Sequence, residues 1–230
     1  MADNKIDQAV NWLLPIYSQS SELNVSSLNA TLRKSLRMLA DKFRLSFKQD
    51  DVGNIYITGA GRDPELSPLG VCFPLDGSTF PGAFEGALRT FLALQNRSFS
   101  CGISLIGWSS PAGKSLGHDV WEGRISLEES LSQAPDLKQF SSMDSFSSFG
   151  MSALFEIVVT QEATISIRGG PILVQKAANA AQRPVKTQSE GQTPRRAPEV
   201  KIEGREAVSV GRATVELYSK YIAALFDNFD

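Results

Sequence analysis

Residues 69–108 have the sequence LGVCFPLDGSTFPGAFEGALRTFLALQNRSFSCGISLIGW, and this stretch decides the predicted fold. Leu69 to Phe73 is a short apolar run that ends at Pro74, which predicts a buried strand. Phe84 to Leu94 carries apolar residues at helical spacing, which predicts a helix. Cys101 to Trp108 is again mostly apolar on both faces, as buried sheet strands are. Strands that alternate with helices are typical of a layered α/β domain.

The segments on the amino-terminal side extend this alternation. Residues 3–17 and 27–43 have apolar positions every three or four residues, which predicts two amphipathic helices. Pro15 is expected to kink or end the first of them, because proline cannot donate the helical hydrogen bond. Residues 44–48 alternate as a strand does, and a turn at 51–54 leads into a returning strand.

The segments on the carboxyl-terminal side continue the pattern. Residues 124–133 predict a helix that is opened by a capping box of Ser126 and Glu129. A loop rich in Ser and Phe is expected over 137–149, and a strand over 154–159. We therefore expect an α/β fold in three layers, a mixed sheet with helices on both faces.

A polar segment divides the chain near its carboxyl-terminal end. Residues 182–198 contain three prolines and almost no large apolar side chain, so they cannot bury enough surface to fold alone. We expect a core domain over 1–181 and a flexible linker over 182–198. Residues 199–230 are then expected to return to the core as a strand and a helix.

The composition argues against several classes of protein. The net charge is −2 and the basic residues are scattered, so no general surface for nucleic acid is expected. Two cysteines are too few for a disulfide framework, and the amino terminus has no signal-peptide pattern. The longest apolar runs, such as Ala153 to Val159, are too short to cross a bilayer. We expect a soluble cytoplasmic protein with neither nucleic-acid nor membrane partners.

Several segments, taken in order, resemble one family. It comprises the zinc-dependent amidohydrolases of the M20 peptidase group, such as N-carbamoyl-L-amino-acid hydrolase, β-ureidopropionase and allantoate amidohydrolase. The most specific match is Val120 to Glu129, with the sequence VWEGRISLEE. The resemblance covers about residues 5–175 and implies the catalytic-domain fold of that family. The matching segments are DVGNIY at 51–56, PLD at 74–76, FEGAL at 84–88, LGHDVWEGRISLEESL at 116–131 and FEIVVTQ at 155–161.

The resemblance implies that the family's metal site is lost here. The aspartate that bridges two metal ions in the family falls on Glu85, which keeps a carboxylate, and Asp76 matches a residue that orients a ligand. His118 is the sole histidine of the chain and lies where the family has no ligand. The remaining ligands and the general base fall on residues without a metal donor: Pro74, Pro111, Ala112, Val158 and a position near Val210. We expect no metal ion and no cofactor, and therefore no zinc hydrolase.

Three residues are candidates for catalysis without metal. Asp76 and Glu85 are expected near the former metal centre, where two carboxylates can transfer protons or hold a cationic ligand. The alternative is that both are inherited carboxylates satisfied by backbone N–H groups. His118 is a candidate acid or base because imidazole titrates near neutral pH. Its alternative is a hydrogen-bonding surface residue in a loop before a helix.

A second set of residues is expected to line a ligand pocket. Trp108 ends an apolar strand and either lines the pocket or belongs to the core. The serines that follow it and a nearby lysine either form a polar pocket wall or a simple turn. The ligand-binding candidates are Ser78, Trp108, Ser109, Ser110 and Lys114.

The predicted function follows from what the resemblance retains and lacks. Between Lys176 and Glu199 there is no room for the lid domain that the family inserts into its catalytic domain. We expect a protein that binds a small amino-acid-like or amide metabolite, with a metal-independent cyclisation, isomerisation or elimination in a specialised biosynthetic pathway. The alternative is a non-catalytic pseudoenzyme that acts as a scaffold for a protein partner or forms a homo-oligomer.

Overall fold

The computed structural model describes residues 2–19, 25–75, 81–95, 99–111, 116–149, 151, 153–159, 163–169, 186–188 and 199–203. The helices of this part of the chain are α1 (Ala2–Gln19), α2 (Val25–Phe43), α3 (Pro81–Leu94), α4 (Leu116–Trp121) and α5 (Leu127–Gln133), with 3₁₀ turns at Pro135–Phe140 and Phe146–Ser148. No described helix is both long enough and apolar enough to span a membrane.

The described strands form one mixed sheet. They are β1 (Ser46–Gln49), β2 (Ile55–Gly59), β3 (Leu69–Pro74), β4 (Ile103–Trp108), β5 (Ala153–Val159), β6 (Ala163–Gly169), β7 (Lys186–Gln188) and β8 (Glu199–Glu203). Their order across the sheet is β1-β2-β4-β3-β5-β6-β8-β7. Strand β3 is parallel to β4 and β5, and the other neighbouring pairs are antiparallel.

The two faces of the sheet carry separate apolar clusters. Ile57, Val71 and Leu105 point to the face that α1, α2 and α3 cover. Their neighbours along the strands, Tyr56, Cys72, Ile106 and Trp108, point to the opposite face and pack under α4 and the segment that ends at Met151. Alternate residues face opposite sides because the side chains of a strand repeat every two residues. The prediction of an α/β fold with helices on both faces is confirmed.

Helix α1 excludes one of the two outcomes expected at Pro15. The helix continues from Ala2 to Gln19 and does not end at the proline. Pro15 is exposed, so the carbonyl that lacks its helical partner can bond to water. Leu13 and Tyr17 on either side are fully buried. Tyr17 also donates a hydrogen bond of 2.8 Å to the Pro74 carbonyl, which anchors the last turn of the helix to the sheet.

Three further segments differ from the expectation. The predicted loop over 137–149 contains parts of both 3₁₀ turns, and α4 occurs where no helix was predicted. Lys186–Gln188, inside the segment predicted as a linker, form β7 and pair with β8. The rest of 182–198 and the predicted carboxyl-terminal helix lie outside the described residues. The capping box is seen as predicted at one of its two bonds, since the Ser126 hydroxyl accepts from the Glu129 amide at 3.0 Å.

Candidate functional site

The carboxyl ends of β3 and β4 meet at one edge of the sheet. Pro74 lies opposite Trp108 in the parallel register, and the Leu75 amide donates to the Trp108 carbonyl at 2.7 Å. Ser109 and Ser110 leave β4 at this edge, and α4 follows with His118. Open α/β sheets bind ligands outside the carboxyl ends of their strands, so this edge is the candidate site.

His118 is buried in this site, which corrects the expectation of a surface residue in a loop. Its exposed fraction is 5%, and it belongs to helix α4. Its ring stacks on Trp108, with 4.9 Å between centroids and 16° between the ring planes. The physical reason is that α4 is buried on two sides: Leu116 and Val120 pack in one apolar cluster, and His118 points away from them onto Trp108.

Glu122 was not identified from the sequence, although it stands four residues after His118. Its carboxylate lies 3.2 Å from the Nε2 atom of His118, and its side chain is 9% exposed. Arg124 pairs with the same carboxylate and, at 2.7 Å, with Asp119. Residues four apart on a helix are neighbours. The pairing could therefore have been predicted if the sequence had indicated a helix at this position. Glu122 orients the imidazole of His118, and Arg124 holds Glu122 in place.

Two buried polar groups at the end of β4 have no hydrogen-bond partner among the described residues. They are the Nε1 atom of Trp108 and the hydroxyl of Ser110, whose residues are 1% and 4% exposed. A buried donor without an acceptor costs roughly 1–3 kcal/mol, so such groups call for a ligand or a water molecule. Ser109 lies between them in the chain, and its backbone amide and carbonyl are both bonded within the fold.

A buried carboxylate lies behind the site, on the turn between β1 and β2. Asp50 is fully buried and accepts four hydrogen bonds of 2.8–3.0 Å, from the amides of Val52 and Asn54, the Asn54 side chain and the Tyr56 hydroxyl. We call Asp50, Asn54 and Tyr56 the Asp50 cluster. Burial raises the pKa of Asp50 from 3.8 to about 6, although its hydrogen bonds act in the opposite direction.

Asn54 connects the Asp50 cluster to the candidate site. Its Oδ1 atom accepts from the Ser109 amide at 2.9 Å, and its Nδ2 atom donates to the Gly117 carbonyl at 3.2 Å. The Gly117 amide in turn donates to the Ser109 carbonyl at 2.8 Å. From the sequence, residues 51–54 were predicted only as a turn, because contacts across such long stretches of chain leave no local pattern.

The carboxylate of Glu85 lies on the other side of the sheet. Helix α3 packs on the face covered by α1, and Glu85 accepts a bond of 2.7 Å from the Arg89 guanidinium. Arg89 also pairs with Asp7 of α1 at 2.6 Å. Glu85 is therefore bonded to a side chain, and no described contact joins it to His118.

The structure thus brings together Trp108, Ser109, Ser110 and His118 from the predicted set. Asp76, Ser78 and Lys114 lie outside the described residues. Within the part of the chain that the structure describes, no group of three or more His, Cys, Asp or Glu residues is suited to hold a metal ion.

The buried carboxyl of Asp50 predicts a pH dependence of stability. Because its folded pKa of about 6 lies above 3.8, the unfolded chain releases its proton first, and the folded state loses stability as pH rises from 4 to 6. The loss is about 3 kcal/mol at ~1.4 kcal/mol per unit of pKa. We expect urea unfolding of the wild type and Asp50→Asn to show a stability difference that changes by this amount over that range. A difference that stays constant between pH 4 and 7 would contradict the shifted pKa.

Comparisons with known proteins agree with the fold. No protein-family model matches the chain, and no curated protein does. Among solved structures, it is similar to an amidase of the hydantoinase/carbamoylase family from Burkholderia multivorans, with a TM-score of 0.53 and 14% identity over 97% of this chain and 72% of that one. A protein from Burkholderia cenocepacia described as an amidohydrolase/peptidase gives 0.56 and 13% identity, over 97% of this chain and 75% of the other.

A third structure gives the same result. It is an amidase of the hydantoinase/carbamoylase family from Burkholderia vietnamiensis, with a TM-score of 0.54 and 14% identity over 97% of this chain and 72% of that one. At such identities the likeness shows the fold, and it confirms at that level the resemblance found in the sequence. The part of each neighbour without a counterpart here is consistent with a form that lacks the lid domain.

Proposed function

We propose that this chain, which has the fold of the hydantoinase/carbamoylase amidases, binds a small amino-acid-like or amide ligand without a metal ion. The ligand lies at the carboxyl ends of β3 and β4. The observation that carries this proposal is two buried groups without a described partner: Nε1 of Trp108, whose ring stacks on His118, and Oγ of Ser110, two residues further along the chain. Indole N–H only donates, whereas a hydroxyl also accepts, so together they complement the C=O and N–H of an amide.

The donor chemistry at the matched metal positions supports a site without zinc. Pro74 and Pro111 have no side-chain donor, and Zn²⁺ requires three or four nitrogen, sulfur or oxygen ligands. The carboxylate of Glu85 is already bonded to Arg89 at 2.7 Å. The residues present therefore do not fit the family's metal centre, and no step of the proposed reaction passes through one.

The proposed chemistry is a proton transfer by His118. Glu122 holds the imidazole, and Trp108 supports its face, so the ring has a defined position against a bound ligand. In an isomerisation the imidazole takes a proton from one ligand atom and returns it to another, and in an elimination or cyclisation the leaving group receives it. Such steps need positioning and an acid or base but no co-reactant. Asp76 stays as a further candidate, and a specialised biosynthetic pathway is where we place this activity.

The proposal predicts a specific pattern among tryptophan variants. We expect Trp108→Phe and Ser110→Ala each to weaken binding about tenfold, or roughly 1.4 kcal/mol, because one hydrogen bond to the ligand is lost. Trp12→Phe, on the opposite face of the sheet, is the matched control and should bind as the wild type does. N-carbamoyl, ureido and simple amide compounds are first screened for one that raises the melting temperature of the chain. Calorimetry then measures the affinity of each variant for that compound.

Two outcomes would overturn the proposal. Near-stoichiometric metal in protein purified without chelators, measured by mass spectrometry, would show that a metal site exists. Equal affinity of Trp108→Phe and wild type would remove the indole from the site. A chain that binds none of these compounds and elutes as an oligomer or a complex would instead favour the non-catalytic scaffold.

A further inference from the structure

We propose that Asn54 is a positioning residue that sets where His118 lies against Trp108. This inference rests on the proposed function for the purpose of the site, but the contacts themselves can be tested in the ligand-free chain. Asn54 is fully buried and directly precedes β2, at the end of that strand that lies opposite to Gly59. It therefore approaches the site from the adjacent strand rather than from α4.

One side chain holds both walls of the site. The Oδ1 atom of Asn54 accepts from the amide of Ser109, the residue directly after Trp108. Its Nδ2 atom donates to the carbonyl of Gly117, the residue directly before His118. The distance between the two stacked rings is therefore set by this amide group together with the direct bond from the Gly117 amide to the Ser109 carbonyl.

Asp50 fixes the orientation of that amide. Its Oδ2 atom accepts from Asn54 Nδ2 at 2.8 Å, so the donor end of the amide faces the carboxylate and the Gly117 carbonyl. If the amide were turned over, its oxygen would face these two acceptors and its NH₂ would face the donor of Ser109. The buried carboxylate thus permits only one orientation of Asn54.

The close fit at Gly117 shows how little freedom the arrangement has. A Cβ atom at this position would collide with Oδ1 of Asn54 and would lie 2.7 Å from the Ser109 amide nitrogen. Small displacements of a catalytic group are costly, because functional groups must be held within roughly 0.5 Å of their productive geometry. Asn54 supplies this precision without touching the ligand.

The sole histidine of the chain makes the inference measurable. Its imidazole gives one set of NMR signals, and protons that lie over the Trp108 indole are shifted upfield by the ring current. We expect Asn54→Ala to lose this upfield shift. The measurement uses the full chain without ligand.

Tyr56→Phe is the matched control. It removes one hydrogen bond to the same Oδ2 atom of Asp50 and keeps the ring stacked on Phe149, while the bonds from Asn54 to Ser109 and Gly117 remain. We expect its histidine signals to match the wild type even if its melting temperature falls as far as that of Asn54→Ala. A merely structural role of Asn54 would move both variants alike.

The outcomes separate this inference from the proposed function. Wild-type histidine signals in Asn54→Ala, or equal shifts in Tyr56→Phe, would overturn the positioning role. If Asn54→Ala does not fold, the same spectrum of Asn54→Ser decides, since the serine hydroxyl ends one bond short of the amide oxygen and nitrogen that bond Ser109 and Gly117. Displaced signals in a chain whose wild type binds no amide compound would support the positioning role while the proposed function fails.

Discussion

Asp50→Ala is expected to lower the free energy of unfolding by about 5 kcal/mol, the largest effect of any substitution considered for this chain. The change leaves four buried N–H or O–H groups without an acceptor: two backbone amides, the Asn54 N–H that faces the carboxylate and the Tyr56 hydroxyl. At about 2 kcal/mol for each, the loss exceeds the roughly 3 kcal/mol released when the buried carboxylate is removed. Typical domains are stable by only 5–15 kcal/mol, so much of the native stability would disappear.

An exposed aspartate provides the control for this experiment. Asp41 lies on the surface near the end of α2, and Asp41→Ala should change stability by no more than about 0.5 kcal/mol. Urea unfolding of both variants, monitored by circular dichroism at pH 7, gives the two values. A loss below about 1 kcal/mol in Asp50→Ala would mean that water replaces the carboxylate and that the Asp50 cluster is not closed to solvent.

Gly117→Ala is the second substitution with a large expected effect, a loss of about 3 kcal/mol of stability. The added methyl group would collide with Asn54 Oδ1 and with the Ser109 backbone, both of which are held by hydrogen bonds and buried. Because hydrogen bonds hold both neighbours in place, we expect α4 to shift away from β4. The same urea titration measures the loss.

Gly123 is the matched control, because it follows α4 and has open space around it. Its φ is +73°, and no atom lies within 4 Å of the position of a Cβ. Gly123→Ala should cost about 1 kcal/mol, the usual penalty for a left-handed backbone at a residue with a side chain. If Gly117→Ala costs no more than this control, the contact between Asn54 and α4 is looser than described.

The parts of the fold that could be predicted have a repeating local pattern. Strands β3 and β4 are almost continuous apolar runs, and α3 has its apolar side chains at helical spacing, so their bounds were predicted to within three residues. The start of α5 was predicted from the spacing of Ser126 and Glu129, and the structure contains the hydrogen bond that this spacing predicts. Each of these signals lies within a few residues of the structure it predicts.

The parts that could not be predicted depend on contacts between distant segments. Helix α4 has only six residues and contains a glycine, so it shows too few periods for a helical pattern to emerge. Without the helix, neither the burial of His118 nor its pairing with Glu122 could be inferred. Asn54 bonds to residues more than 50 positions away, and no local spacing predicts such a partner.

The length of α4 also bears on the order in which the chain folds. A helix of six residues is not stable alone, because nucleation costs more than so few backbone bonds return. We expect it to become ordered only after β2 and β4 have paired and Asn54 can reach Gly117. Contacts between remote segments form slowly, since a long loop must close first. We therefore expect the ring pair of His118 and Trp108 to be among the last parts of the native state to assemble. The upfield-shifted NMR signals of the imidazole would then appear only when folding is complete.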